Sequence, residues 1–272
     1  MRSVGRWFKR YGILLLGIGV IIYMYIPNII VAVMSFNDSS ASRNLYKFQA
    51  FTLDNWRYMC DPAGMCKSVL VSIEIAFLAT LVATILGTLA AFGLVRHRFA
   101  GRGAANLVLF LPMATPEIVM GSSLLALFVA GGFGGQLGFW TILIAHIMFC
   151  LSFVVVAVKA RLSGLDSNLE QAAMDLYASE AQTFWRITFP LVFPGILGAA
   201  LLAFSLSFDD FIITNLNSGQ TVTFPMYVWG ASQRALPMQV NVIGTLMFII
   251  ALAIVIIGQV MARRRSKALR VA

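Results

Sequence analysis

Residues 170–194, EQAAMDLYASEAQTFWRITFPLVFP, form a long polar segment set between two strongly apolar ones. Two capping boxes divide it. Ser167-x-x-Glu170 opens one helix and Ser179-x-x-Gln182 a second, each pairing a hydroxyl with a side chain three residues on. The first helix is predicted to run to Ala178, and the second to stop before Pro190, whose ring interrupts a helix. Helical spacing puts Ala172, Ala173, Leu176 and Tyr177 on one face of the first helix, and Gln171 and Asp175 on another. A short helix with a small-residue face can enter a groove on a partner, or can merely cover the end of a helix bundle. The residues alone leave both readings open.

The flanks decide the class. The chain has 272 residues, 60% hydrophobic and 11% charged, which excludes a soluble domain of this size and points to an all-α, polytopic membrane protein. Its net charge of +9 is not a nucleic-acid footprint, because the basic residues sit in short runs between apolar stretches. Six stretches, near 12–34, 68–95, 106–130, 139–158, 191–213 and 241–261, reach the roughly 20 residues that a membrane-spanning helix needs. The first has too long an apolar core, and no small-residue cleavage site after it, so it reads as a retained anchor. The whole chain, 1–272, is expected to be a single transmembrane domain with the 164–190 loop inside it.

Lysine and arginine set the orientation. With the N-terminus inside, fifteen of the 20 basic residues fall on inner segments, among them Arg96, Arg98, Arg102, Lys159, Arg161 and Arg186. The outer five are Arg43, Lys47, Arg57, Lys67 and Arg234. That bias predicts both termini, and the 164–190 loop, in the cytoplasm. The longest outer segment, 35–67, carries Phe51, Trp56 and Tyr58 and is expected to form a short surface helix. Cys60 and Cys66 also fall there, in a compartment that permits disulfides; a bridge and two free thiols both fit. Cys150 reads as packing.

Four carboxylates lie in the spans: Glu74, Glu117, Asp209 and Asp210. Each costs about 2.5–3.5 kcal/mol at a bilayer centre, and no lysine or arginine lies well inside a span to offset it. Acids at different depths without internal counter-ions suggest a path for cations. The competing readings are structural. Asp209 and Asp210 can be solvated at the outer interface. Glu117, after the helix-breaking Pro116, can accept freed backbone N–H groups. Glu74 is close enough to Lys67 in sequence to reach water. Phe208, Phe211, Trp140, Tyr227 and Trp229 can supply cation–π contacts or anchor the interface. His146 is expected to make a helix–helix hydrogen bond, and His97 to be solvated. The glycine-rich run Gly131-Gly132-Phe133-Gly134-Gly135 lacks the Lys-Ser/Thr of a phosphate cradle and reads as an outer turn. Nothing forms an accessible nucleophile–base pair, so neither an enzyme nor a bound metal or cofactor is expected.

Gln171-Ala172-Ala173, then Tyr177, then Ile187-x-Phe189-Pro190 resembles the EAA loop of ABC-importer permeases, Glu-Ala-Ala, three residues, Gly, nine residues, Ile-x-Leu-Pro. The spacing matches throughout. Gln171 replaces the family's Glu and Tyr177 its Gly. Further stretches are similar to the spermidine/putrescine permeases, in particular the second permease type: Tyr25-Ile26-Pro27, Ser35-Phe36-Asn37, Thr115 to Met120, Ala145-His146-Ile147-x-Phe149-Cys150, and Phe204 to Asp210. The resemblance implies a type I importer permease in the cell inner membrane. Its partners would be a second homologous permease, two ATPase subunits that bind the ATP, and an extracytoplasmic substrate-binding protein. Gln171, Ala172, Ala173, Asp175 and Tyr177 would couple to the ATPase. A permease of the same fold for another small solute, or a stand-alone secondary transporter, is the rival reading.

Overall fold

Long apolar helices account for most of the described residues. The computed structural model describes residues 2–38, 47–166, 168–234 and 236–271. Ser167, the first predicted cap, and Arg43 lie outside the described residues. The helices are α1 (Arg2–Met34), α2 (Asp54–Arg57), α3 (Met65–Arg96), α4 (Arg102–Ala114), α5 (Glu117–Ala130), α6 (Phe139–Ser163), α7 (Asn168–Asp175), α8 (Glu180–Thr183), α9 (Phe189–Asp209), α10 (Ile212–Asn217), α11 (Phe224–Ser232) and α12 (Gln239–Val271). Five helical runs are long and apolar enough to cross a membrane, and α4 with α5 makes a sixth if the two count as one span. The expected all-α class holds among the described residues, where the only β pairing is a single Asn37–Phe51 bridge.

The chain divides into two compact units, residues 1–66 with 230–272, and residues 67–229. In the first, α1 pairs with α12, and Tyr25 meets Phe248 edge-on at 5.8 Å. The 47–66 segment is organised from the end of α1. Phe36 stacks between Phe51 and Trp56, Trp56 Nε1 donates to Ser35 Oγ, and Asn55 Nδ2 donates to the Ser35 and Asn37 carbonyls. Cys60 and Cys66 are disulfide-bonded with Cα atoms 5.3 Å apart, which settles the pairing the sequence left open.

The second unit is built round α6, which packs on α4, α9 and α10. Its core side chains Ala145, Phe149, Val154, Val158 and Leu162 recur every four or five residues, so one stripe is buried along most of the helix. On α3, Ala79, Ala83, Gly87 and Ala91 recur every fourth residue and are all buried. A Cβ at Gly87 would lie 2.7 Å from Val154, so the small-residue stripe is what lets α3 approach α6. Without a hydrophobic drive between helices in lipid, such close backbone approach supplies the packing energy.

Three proline-bearing segments depart from uninterrupted rods, each for a local reason. The third predicted span is bent by 109° between α4 and α5. Pro116 forces Thr115 out of the helical region, to φ −84° and ψ 131°, and the next helix starts at Glu117. The helix expected to stop before Pro190 instead continues through a π-helical turn, Phe184–Thr188, into α9. There the Phe189 N–H reaches back five residues to Phe184 O, and this wider turn accommodates the proline that an α-helical register would exclude. The fifth predicted span, 191–213, ends early: α9 stops at Asp209 and Asp210 is extended. The residues beyond it turn into α10, whose Ile213, Thr214 and Asn217 are buried.

The end of α10 is fastened to the start of α6. Thr141 Oγ1 donates to Asn217 O at 2.7 Å, and Gly219 follows with φ +54°. A Cβ at Gly219 would sit 2.2 Å from Leu137 O. Gly219→Ala should therefore destabilise the purified protein by about 1–3 kcal/mol. A melting-temperature drop of several degrees is expected, with little change for Gly198→Ala, a helical position with open space round it.

Candidate functional site

The four predicted acids separate into distinct environments. Asp209 and Asp210 are chain neighbours, yet Asp209 is exposed and Asp210 is buried. Asp210 accepts hydrogen bonds from the Thr214 N–H and the Thr214 hydroxyl, both at 2.8 Å, and from the Ile213 N–H at 3.4 Å. It thereby caps the first turn of α10. His146 of α6 completes the network. Its Nε2 is 2.9 Å from Thr214 Oγ1 and 3.3 Å from Asp210, and its Nδ1 is 2.7 Å from Ser207 Oγ. A neutral imidazole protonated on Nε2 satisfies every member: Ser207 donates to Nδ1, and Nε2–H donates to Thr214, whose own proton goes to Asp210. The helix–helix hydrogen bond expected of His146 is present. Ser, His and Asp meet here, but each is buried, so the group is a structural tie and not an accessible nucleophile.

Asp210 is thus committed to structure, and the outer-interface reading does not describe it. Glu117 does not cap the helix it opens: no side-chain cap is made at that end of α5, and the residue is exposed. Glu117 lies within electrostatic reach of Asp209 and Asp210. Both helix breaks therefore bring an exposed carboxylate to one neighbourhood. The link between them is α10, on which α5 packs closely. Gly121 faces Ile213 and Leu216, and Asn217 Nδ2 donates to Gly121 O at 3.1 Å. Glu74 is exposed on α3, and among the described residues no hydrogen bond or ion pair joins it to this group. Of the aromatic candidates, Phe211 pairs with Trp229 at 5.3 Å and Phe208 lies between Phe204 and Phe224.

The second candidate site is the segment quoted first. α7 ends in a Schellman motif: Ala178 N–H bonds Ala173 O, Tyr177 N–H bonds Met174 O, and Tyr177 has φ +65°. Tyr177 thus occupies the left-handed position that a glycine takes without strain, which gives the Gly of the family pattern its physical meaning. The corner is kept, at a cost of about 1–2 kcal/mol. Ser179 and Gln182 then form the predicted capping box of α8. Ala173 corrects the predicted face, because it is buried beneath α7 where the helix meets the π turn and α8. Gln171, Ala172, Asp175, Leu176 and Tyr177 are exposed together, Leu176 at 82% and Tyr177 at 98%.

Arg96 and Thr188 were missed by the sequence reading. Glu170 is gripped by both guanidinium nitrogens of Arg96, at the end of α3, and accepts from the Thr188 hydroxyl of the π turn. Phe92 and Phe184 add an edge-on ring contact at 5.4 Å between the same two elements. Nothing in the local pattern pairs residues 74 positions apart, and Arg96 entered only as an orientation charge. The Arg96 hydrogen bonds hold the Glu170 carboxyl below its ordinary range, against desolvation by burial. Beside this latch opens a cavity of about 570 Å³ walled by Phe92, Arg96, Glu170, Glu180, Thr183 and Phe184.

A bundle of membrane-spanning helices broken at exposed acids, with a latched helix–corner–helix at its basic end, has the build of a transporter's membrane component. Over residues 83–271 the sequence matches the family described as binding-protein-dependent transport system inner membrane component, and the chain belongs to that family. It is a multi-pass inner-membrane protein and a transport component, not an enzyme. The spermidine/putrescine transport system permease protein PotC of Haemophilus influenzae is 35% identical over 97% of this chain and 100% of its own length. PotC of Escherichia coli K12 is 36% identical over 90% and 91%. The putrescine transport system permease protein PotI of the same strain is 37% identical over 87% and 84%. Among solved structures, a bacterial ABC transporter that imports the acidic polysaccharide alginate has the same fold, with TM-score 0.62 at 17% identity over 97% of this chain and 98% of that one. An amino acid ABC transporter gives 0.56 at 14% identity over 79% and 100%.

Two outcomes test these assignments. Asp210→Asn should lower the amount of folded protein recovered from membranes, whereas Asp209→Asn should leave it unchanged. Arg96→Gln and Glu170→Gln should each loosen the loop, read as faster proteolysis at 176–178, and Arg96→Lys should restore part of the protection. Because Glu170 is held below its ordinary pKa, the latch contributes fully at neutral pH and is lost only as pH falls through that lowered value. Protection in the wild type should therefore fail in acid, while the Glu170→Gln variant shows no such transition.

Proposed function

We propose that this chain is the second-type permease subunit of an ABC importer for polyamines such as spermidine and putrescine. The observation that carries the cargo class is the exposed pair Glu117 and Asp209, drawn together at two helix breaks within one unit. Two ammonium groups of a linear polyamine can each find a carboxylate there, and Phe211, which pairs with Trp229, stands two residues after Asp209. The names carried by relatives at 35–37% identity agree with that chemistry. Asp210 and Glu74 have lesser parts in this scheme, Asp210 as the brace that sets Asp209 and Glu74 as a remote charge.

The partners are a homologous permease, two ATPase subunits that bind ATP, and an extracytoplasmic binding protein. No cofactor is bound by this subunit itself. The termini and the 164–190 loop face the cytoplasm. Two features support that orientation: the basic bias of the inner segments, and a disulfide at the start of α3 where an oxidising compartment is required, with Arg96 at the far end. The exposed face Gln171, Ala172, Asp175, Leu176 and Tyr177 docks on the ATPase. Gln171 contributes an amide in place of a carboxylate, and Ala173 holds the helix from beneath.

The test is uptake of labelled spermidine and putrescine into vesicles holding the complete complex. Glu117→Gln and Asp209→Asn should each reduce uptake about tenfold or more with assembly intact, in the range that loss of a charged partner produces. Unchanged transport in both would sink the acidic-path reading. Leu176→Glu should leave the permease folded and abolish co-purification of the ATPase; retention of the ATPase in that variant would remove the docking face. A chain that never co-purifies with an ATPase in mild detergent would instead be a stand-alone transporter.

A further inference from the structure

A groove of about 390 Å³ runs between α4 and α6, away from the acidic pair and from the loop latch. Its walls are apolar: Leu107, Leu109 and Phe110 from α4, Val155 and Val156 from α6. One end is polar and positive. There the Lys159 ammonium donates to Asn106 Oδ1, and Asn106 Nδ2 donates to the Arg102 carbonyl. Arg102 opens α4 one turn before Asn106, outside the groove's walls, so a second basic residue stands near this end in the chain. No carboxylate lines the groove among the described residues.

That arrangement does not suit the cargo, since a polyamine would meet like charge. A companion helix fits poorly too. An ammonium has three donors, and Asn106 takes one; an apolar helix laid over Lys159 would bury the others without acceptors. A phosphodiester with acyl tails meets both requirements at once. Its oxygens accept the free donors while the tails cover Leu107, Phe110 and Val156, which are half or more than a third exposed in this subunit. Lys159 lies near the end of α6 that leads into the 164–190 loop. In the orientation proposed above, on which this inference rests, that is the cytoplasmic leaflet, where anionic lipid gathers at basic pockets between helices.

We propose that the α4–α6 groove is a binding site for one anionic phospholipid, with its phosphate on Lys159 and its acyl chain along Leu107, Phe110 and Val156. The complete complex, carried in nanodiscs of mixed phosphatidylglycerol and phosphatidylcholine and released for native mass spectrometry, is the direct test. Phosphatidylglycerol should be retained in preference to phosphatidylcholine. Lys159→Gln should reduce that retention about five-fold, the effect of one basic group at an anionic surface, and Lys159→Arg should preserve it. Leu107→Trp, which fills the groove and leaves the charge, should also displace the lipid, and it serves if the Lys159 variant fails to assemble. Equal retention of the two lipids by the wild type would overturn the proposal. So would unchanged retention in both variants, full displacement by inorganic phosphate, or cross-linking of the Leu107→Cys variant to the companion permease. The readout does not involve uptake, so its failure and the failure of the transport reading can be told apart.

Discussion

A carboxylate buried among packed helices has to be hydrogen-bonded, and the satisfaction of Asp210 sets the geometry of the second unit. Thr214 and Ile213 supply backbone and side-chain donors only if the chain turns immediately after Asp210. That turn ends α9 and starts α10. His146 then fixes α10 against α6 through Thr214, and Ser207 fixes α9 to the same ring. The packing of α5 on α10 through Gly121 brings Glu117 near Asp209 as a consequence. Remove the buried acid and the exposed acids lose the scaffold that aims them. Adjacent aspartates therefore do opposite jobs, one bound internally and one left free.

The loop at the other end is organised by the same rule applied to an ion pair. Glu170 stands apart from the exposed face of α7; it is turned inward, between Arg96 of α3 and Thr188 at the entry to α9. A bidentate pair with a third hydrogen bond fixes direction as well as distance. Two spans and the loop are thereby joined as one body, which suits the coupling role proposed for the loop. The departures at Gln171 and Tyr177 are tolerable on this footing. The Schellman corner survives because its backbone bonds are made whatever side chain sits at position 177, with local strain as the cost.

Most of the fold was legible because its signals are local. Apolar run length gave the spans, Pro116 announced the bend, and Ser179 with Gln182 announced α8. The failures came where backbone register or distant partners decide. Pro190 reads as a stop, yet a π turn absorbs it, and a one-residue change of hydrogen-bond register leaves no mark in composition. Span five reads as apolar through Ile213, because the buried turn after Asp210 is itself apolar on its core side. Ala173 and its neighbours differ in burial although all are small or apolar, since only the packing beneath α7 distinguishes them. At the candidate sites, the acids were visible as residues out of place in lipid. Their division into brace and free charge depended on His146, Ser207 and Thr214, none of which signals a partner by spacing.

The charge distribution ties these parts together. Arg96 is spent on Glu170, Arg161 on the Leu191 carbonyl at 2.9 Å, and Lys159 only partly, on Asn106. The two paired arginines consolidate the basic end of the bundle, while the lysine keeps donors for a group from outside the chain. The acids show the same split, Glu170 and Asp210 paired, Glu117 and Asp209 exposed. In a low-dielectric surround an unpaired charge persists only where something mobile meets it, whether water, cargo or headgroup. Charges that the fold has already hydrogen-bonded mark its joints. Those it has left open mark the places where the molecule deals with its environment, and here they carry opposite signs in separate places.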